Sequence, residues 1–203
     1  MLVIEHRANF LTEPEKSTLG EIDVHILENG KFAVKHDIYE GGWILEHFLK
    51  HSMHDRFFVD IKQNLKVGVY ERLIETMGDR LIGLFDVPMP AAYFLAKKGV
   101  KFYERLSEFE NPTALTDRFW LDPLANQVVP HFERLLWETT ANQKFIYASP
   151  ELHGCSMLEA ANAWGSLKAF VSGKNRFAKL EGIVTKYPEE FSKIWADLDK
   201  MYV

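Results

Sequence analysis

Short apolar runs recur along the chain, and between them lie stretches whose apolar residues return every three or four positions. The first pattern marks strands and the second marks helices. Strands are predicted at Leu2 to His6, Gly20 to Ile26, Phe32 to His36, Phe57 to Lys62, Leu81 to Asp86, Val100 to Leu106, Arg118 to Asp122, Lys144 to Ala148 and Leu180 to Thr185. Asn29-Gly30 is a tight-turn dipeptide, so Gly20 to His36 reads as a two-stranded hairpin unit. Three apolar stripes predict helices: Val69, Tyr70, Leu73, Ile74 and Met77; Val128, Val129, Phe132, Leu135 and Leu136; and Phe191, Ile194, Trp195, Leu198 and Met201 after Pro188. Less regular helices are expected over Trp43 to Lys50, Pro90 to Lys98 and Ser156 to Phe170, and Trp137, Trp164 and Trp195 are expected in the core. Strand alternating with helix predicts an α/β fold with parallel strands and outer helices. With the hairpin as one unit, eight β units remain, the number that closes a compact (β/α)8 TIM barrel, here as a single domain over residues 1–203.

The charged positions sharpen this picture, because nearly every apolar strand ends in an ionisable residue. His6, His36 with Asp37, Asp60 with Lys62, Asp86, Arg105 and Asp122 lie at strand ends, Glu21 and Asp23 lie within a strand, and Glu151 and His153 follow one. In a parallel barrel the carboxyl ends of all strands converge on one mouth, so these residues are expected to share a pocket. Strand period two puts Glu21 and Asp23 on one face, and Asp60 and Lys62 repeat that spacing. Crowded carboxylates repel, and in apolar surroundings they hold their protons unless a cation neutralises them. A hard divalent ion with oxygen ligands, Mg²⁺ or Ca²⁺, answers that need at Glu21, Asp23 and Asp60. His6 and His36 flank the same site, and imidazoles titrate near neutrality, which suits them to pass a proton to and from a reacting oxygen. His25 shares the face of the acidic pair.

Pro150 and Gly154 shape a loop that presents Glu151 and His153 over the mouth, and Trp43 and Trp120, near strand ends, are candidates to line a substrate pocket. His47, His51 and His54 are spaced like a metal-binding helix face, but without an accompanying acid, at a lysine-bearing helix end, they read as solvated.

Composition narrows the partners. The 203 residues are 47% hydrophobic with a formal net charge of −5, which excludes a disordered chain and disfavours nucleic acid, since phosphate neutralisation needs an excess of Lys and Arg. A lone cysteine, Cys155, cannot form an internal disulfide, and no apolar run is long enough for a membrane span, so a cytoplasmic protein is expected, its oligomeric state open.

Four segments, in order, resemble the glycerophosphodiester phosphodiesterase family of the phospholipase C-like barrel superfamily. They are Val3-Ile-Glu-His-Arg7, Glu21-Ile-Asp-Val-His-Ile-Leu-Glu-Asn-Gly30 running into Val34-Lys-His-Asp37, Val59-Asp-Ile-Lys62, and Leu180-Glu-Gly-Ile-Val-Thr-Lys-Tyr-Pro188. The resemblance implies a metal-dependent hydrolase of a small phosphodiester, with Glu21, Asp23 and Asp60 as metal ligands and His6 and His36 as the acid/base pair. It also implies that Arg7 and Lys62 hold the phosphate oxygens. Ala8 stands where the family has Gly, Asp60 where it has Glu, and Asn9 and Glu13 lie out of pattern near its Glu-Asn-Thr motif. The family's insertion after His-Asp is absent, which leaves the mouth to short loops such as Asp37 to Trp43 and Ser149 to Gly154. A lyase or isomerase acting on a sugar phosphate, or a non-catalytic phosphate-ligand-binding barrel, are the alternative functions that such a mouth admits.

Overall fold

The computed structural model describes residues 1–11, 19–107, 110, 113, 115–122, 143–172 and 179–201. The predicted stripe from Val128 to Leu136 and Trp137 lie outside the described residues. The chain divides into two compact units, one of Glu5–Glu104 and one of Met1–Ile4 with Arg105–Val203.

In the first unit the end of β1 (Leu2–Glu5) pairs in parallel with β2 (Leu19–Ile26), with Glu5 opposite Gly20. Gly20 has no substitute here: a Cβ would lie 2.8 Å from that of Ala8, too close for real side chains. The Asn29-Gly30 turn forms as the dipeptide predicts, with Gly30 at φ +79° and the Asn29 side chain accepting from the Lys31 N–H at 3.0 Å. It returns the chain as β3 (Phe32–Val34), antiparallel to β2. The next two residues of strand, β4 (Trp43–Ile44), pair with β3 where the periodicity predicts the start of a helix. Pairing supplies their backbone hydrogen bonds, which the first turn of a helix cannot. The helix α1 follows over Leu45–His51.

Then come β5 (Arg56–Ile61), α2 (Val67–Met77), β6 (Leu81–Phe85) and α3 (Met89–Lys97). β5 runs parallel to both β2 and β6. Of the predicted strand at Val100 to Leu106, Phe102 makes only an isolated parallel bridge to Leu84, and regular strand is confined to β7 (Glu104–Leu106). The apolar face of α2 buries Tyr70, Leu73 and Met77, the stripe read from the sequence. Aromatic rings fill the core: Phe58 stacks on Phe85 at 5.1 Å and meets the edge of Tyr103 at 5.5 Å.

The second unit holds β8 (Arg118–Leu121), β9 (Lys144–Ala148), α4 (Met157–Val171), β10 (Lys179–Thr185) and α5 (Pro188–Met201). β9 lies parallel to β8 and to β10. Ser156 and Glu159 form a reciprocal cap at the start of α4. Trp164 is fully buried and meets Phe191 edge to face at 5.2 Å, and Trp195 packs partly buried on the same cluster. No helix among the described residues is long and apolar enough to cross a membrane.

Phe58→Ala opens a void among rings that cannot collapse into it, so it is expected to cost about 3–5 kcal/mol in urea unfolding. A loss under about 1 kcal/mol would show that this aromatic cluster is not tightly packed.

Candidate active site

The site is built in the first unit, from β2 and β5 and from the turn that follows β1. The parallel register sets Asp23 directly across from Asp60, with Glu21 two residues earlier on the same strand. Like charges opposite one another destabilise a sheet. Lys62 resolves that conflict: its Nζ lies 2.9 Å from Asp23 Oδ1 and 2.5 Å from Asp60 Oδ2. Burial pulls the Lys62 ammonium towards neutrality, but Asp60 and Asp23 outweigh it and hold it charged, above the usual lysine range.

Glu21 and Asp23 are 2% and 1% exposed, so the acidic pair is not a solvated strand face. The chain reaches them through Arg7, which adopts the left-handed conformation at φ 51°. For a residue with a side chain that conformation is strained, and the contacts it permits show what holds it. The Arg7 N–H donates to Glu21 Oε2 at 2.8 Å, and the Arg7 guanidinium donates to His36 Nε2 at 2.6 Å. Two residues on, Asn9 and Asp23 clasp each other: the Asn9 amide donates to Asp23 Oδ2 at 2.6 Å and the Asp23 N–H to Asn9 Oδ1 at 2.9 Å.

His6 Nε2 stands 3.9 Å from Glu21 Oε2. Since Arg7 donates to His36 Nε2, the His36 proton belongs on Nδ1, which faces Asp37 Oδ2 at 3.1 Å. The hydrogen bond from His36 holds the Asp37 carboxyl below its usual range. His25 braces the same segment, its Nε2–H donating to the His36 carbonyl at 2.9 Å. His6, Arg7, Glu21, Asp23, His36, Asp60 and Lys62 thus belong to one unit and, with Asn9, to one continuous set of contacts.

Each of Glu21, Asp23 and Asp60 places an oxygen within 4.8 Å of the others. Asp60 Oδ1 is buried without a hydrogen-bond partner, and burial, then the charges of Asp23 and Asp60, push the Glu21 carboxyl well above its ordinary range. Three carboxylates against one ammonium leave two negative charges, so the donor set fits one hard divalent cation.

No family model matches the sequence, and no curated protein matches it. Solved structures do. A glycerophosphoryl diester phosphodiesterase from Parabacteroides distasonis superposes with a TM-score of 0.62 at 14% identity, over 97% of this chain and 86% of that one. A glycerophosphodiester phosphodiesterase from Agrobacterium tumefaciens gives 0.56 at 11% identity, over 96% and 99%, and one from Thermotoga maritima gives 0.51 at 13%, over 95% and 97%. The chain shares the fold of the glycerophosphodiester phosphodiesterases. These phosphodiesterases are TIM barrels, the α/β class that the strand and helix pattern predicts.

Of the other sequence-predicted positions, Arg105, Trp120, Asp122, Glu151 and His153 lie in the second unit. Trp120 is buried in β8. His153 Nε2 is 2.5 Å from Asp122 Oδ1, and Arg105 Nε is 3.8 Å from the other oxygen of that carboxylate. Glu151 is a buried hub: it accepts from Thr185 Oγ1 at 2.5 Å, from the Lys186 N–H at 3.1 Å and from Ser149 Oγ, while Trp164 Nε1 donates to that same Ser149 oxygen at 2.7 Å. His47 and His51 are exposed as expected, but His54 is buried, with Nε2 3.0 Å from Glu5 Oε2, a partner 49 residues earlier that helical spacing cannot reveal. Asn9 is the partner that sequence reasoning placed outside any pattern; its only sequence signal is its position two residues after His6-Arg7.

The raised Glu21 carboxyl has a consequence for stability. The folded chain holds that proton more tightly than the unfolded chain, so stability is greatest below the usual carboxylate range and falls as pH rises through it towards the folded value. At pH 7 and without divalent ions, Glu21→Gln is therefore expected to raise the melting temperature. Mg²⁺ is expected to stabilise the native chain, by about 2.7 kcal/mol at a hundred times Kd, and the same variant is expected to lose that gain. Melting curves with and without Mg²⁺ check both, and a variant that is less stable yet equally Mg²⁺-responsive would contradict the reading.

Proposed function

We propose that the chain is a metal-dependent phosphodiesterase that hydrolyses a small glycerophosphodiester-like substrate by acid–base catalysis between His6 and His36. One observation carries the reading: Arg7 joins the two halves of the site, its N–H on Glu21 of the carboxylate cluster and its guanidinium on His36. Glu21, Asp23 and Asp60 would hold the cation, either Mg²⁺ or Ca²⁺. When bound, that cation supplies positive charge against the negative charge that develops on the phosphate oxygens.

The protein groups divide the rest of the work. Arg7 turns from His36 to a non-bridging phosphate oxygen, and Lys62, anchored by Asp23 and Asp60, adds positive charge. A substrate hydroxyl next to the phosphate forms the new P–O bond and gives its proton to one imidazole. The bond to the leaving alcohol breaks as the other imidazole protonates its oxygen. Water then opens the resulting cyclic phosphate to a monoester with the two imidazoles exchanging roles. Asp37, facing His36 Nδ1, fixes the tautomer and orientation of that imidazole.

Within the second unit, Glu151 is proposed to act by holding the segment Ser149 to Gly154 in shape, with His153 held by Asp122. The chain's single cysteine, Cys155, is half-buried and has no second cysteine to pair with in a disulfide, which suits a cytoplasmic enzyme.

Divalent-ion-stimulated hydrolysis of a chromogenic glycerophosphodiester is expected to fall at least about a hundredfold in His6→Ala, His36→Ala and Glu21→Ala, the range of a lost acid–base group. Phosphorus NMR of the native reaction is expected to show the cyclic phosphate before the monoester. Unchanged rates in all three variants would sink the proposal, and binding without turnover under every divalent ion would favour a non-catalytic phosphate-binding role.

A further inference from the structure

Beside the site, a cleft is lined by the polar side chains of Arg7, Asn9 and His36 and by the apolar ones of Phe10 and Trp43. The apolar surface does not stop at the cleft. Phe10 is 66% exposed, Trp43 41%, and on the loop between His36 and Trp43 the side chains of Ile38 and Tyr39 are 59% and 97% exposed. Scattered apolar residues on a surface need no explanation, but four large ones bordering a charged cleft do.

The loop that carries Ile38 and Tyr39 is closed by its own polar groups. The His36 and Asp37 N–H groups both donate to Glu40 Oε2 at 3.2 Å, the Glu40 N–H donates to the Asp37 carbonyl at 3.1 Å, and Lys35 Nζ donates to the Ile38 carbonyl at 2.8 Å. These bonds fix the loop's backbone while the Ile38 and Tyr39 side chains stay exposed. Trp43 is likewise braced, stacked on His47 with ring centroids 5.2 Å apart. The rim is therefore shaped before any ligand arrives, which limits the ordering cost of binding.

We propose that this rim takes an apolar chain, so that the substrate is an amphiphilic phosphodiester with a single alkyl or acyl chain on one of its alcohols. The inference rests on the phosphodiesterase reading above and names the substrate class of that same site. Charge and apolar surface are arranged as such a molecule requires. Arg7 would take the anionic phosphate within the cleft that Phe10 and Trp43 also line, and Ile38 and Tyr39 stand exposed on the loop that joins His36 to Trp43, so a chain leaving the phosphate meets apolar surface. A compact, fully hydrophilic diester would use the first part of this arrangement and none of the second.

The test is kcat/KM on a series of 1-alkylglycerol 3-(p-nitrophenyl) phosphates from methyl to dodecyl, each kept below its critical micelle concentration. The glycerol hydroxyl next to the phosphate is the same throughout, so only the chain varies. For the native protein kcat/KM is expected to rise roughly twofold per methylene over the first several carbons, the effect of half-burying a group whose full burial is worth roughly fourfold. The dodecyl-to-methyl ratio is expected to fall at least about tenfold in Trp43→Ser and in the double variant Ile38→Ser with Tyr39→Ser. Because the ratio is taken within each variant, loss of folded protein cancels. Turnover of the methyl compound with no dependence on chain length overturns the chain-binding rim and leaves the phosphodiesterase reading standing. Turnover of no member overturns both. A rate that rises only above the critical micelle concentration, and equally in the variants, also overturns the proposal, because the protein is then responding to an aggregate and not to a chain in its rim.

Discussion

Three carboxylates packed on two adjacent strands against one ammonium group, two of them all but fully buried, are the constraint from which the rest of the site follows. The parallel register places Asp23 against Asp60, and a shift by one residue would turn Asp60 and Lys62 to the opposite face from Glu21 and Asp23. Every neighbouring element then serves the same charge balance. Asn9 satisfies both the side chain and the N–H of Asp23, and Arg7 accepts a left-handed backbone so that its N–H can meet Glu21. Lys62 bridges the two aspartates. What remains unbalanced, two negative charges and a buried oxygen of Asp60 without a partner, is what a divalent cation would satisfy.

That same cluster explains why a catalytic pair is proposed beside it. Arg7 is shared between Glu21 and His36, so the residue that completes the charge balance also orients an imidazole. Asp37 sets the tautomer from the other side, and His25 fixes the backbone between them. Removing any of these groups should disturb both metal affinity and proton transfer, because they are members of one hydrogen-bonded set.

Much of this was legible in the sequence, and where it was not the reasons are physical. The strands of the first unit and α2 follow from period two, period 3.6 and one turn dipeptide, since those patterns are local. Glu21, Asp23, Asp60 and Lys62 were legible for the same reason: a spacing of two fixes the face. Trp43 and Ile44 were read as the beginning of a helix because nothing local reveals that β3 offers them a pairing partner. His54 was read as solvated because its partner, Glu5, is distant in sequence and helical spacing carries no information about it. Asn9 falls after a turn, where periodicity lapses, and its role depends on the left-handed Arg7, which no residue type announces. Trp43 is legible as a pocket residue from its place near a strand end, whereas the exposed Phe10, Ile38 and Tyr39 are hidden in another way, for apolar residues in a sequence read first as core.

The cation site is the point on which the chemistry rests, and crystals grown or soaked with Mn²⁺ test it most directly through anomalous scattering. An anomalous peak is expected within coordinating distance of Glu21, Asp23 and Asp60, with the oxygen of Asp60 that now lacks a partner among its ligands. At saturating Mn²⁺, the absence of a peak there, with Lys62 still bonded to Asp23 and Asp60, would contradict a metal-dependent site.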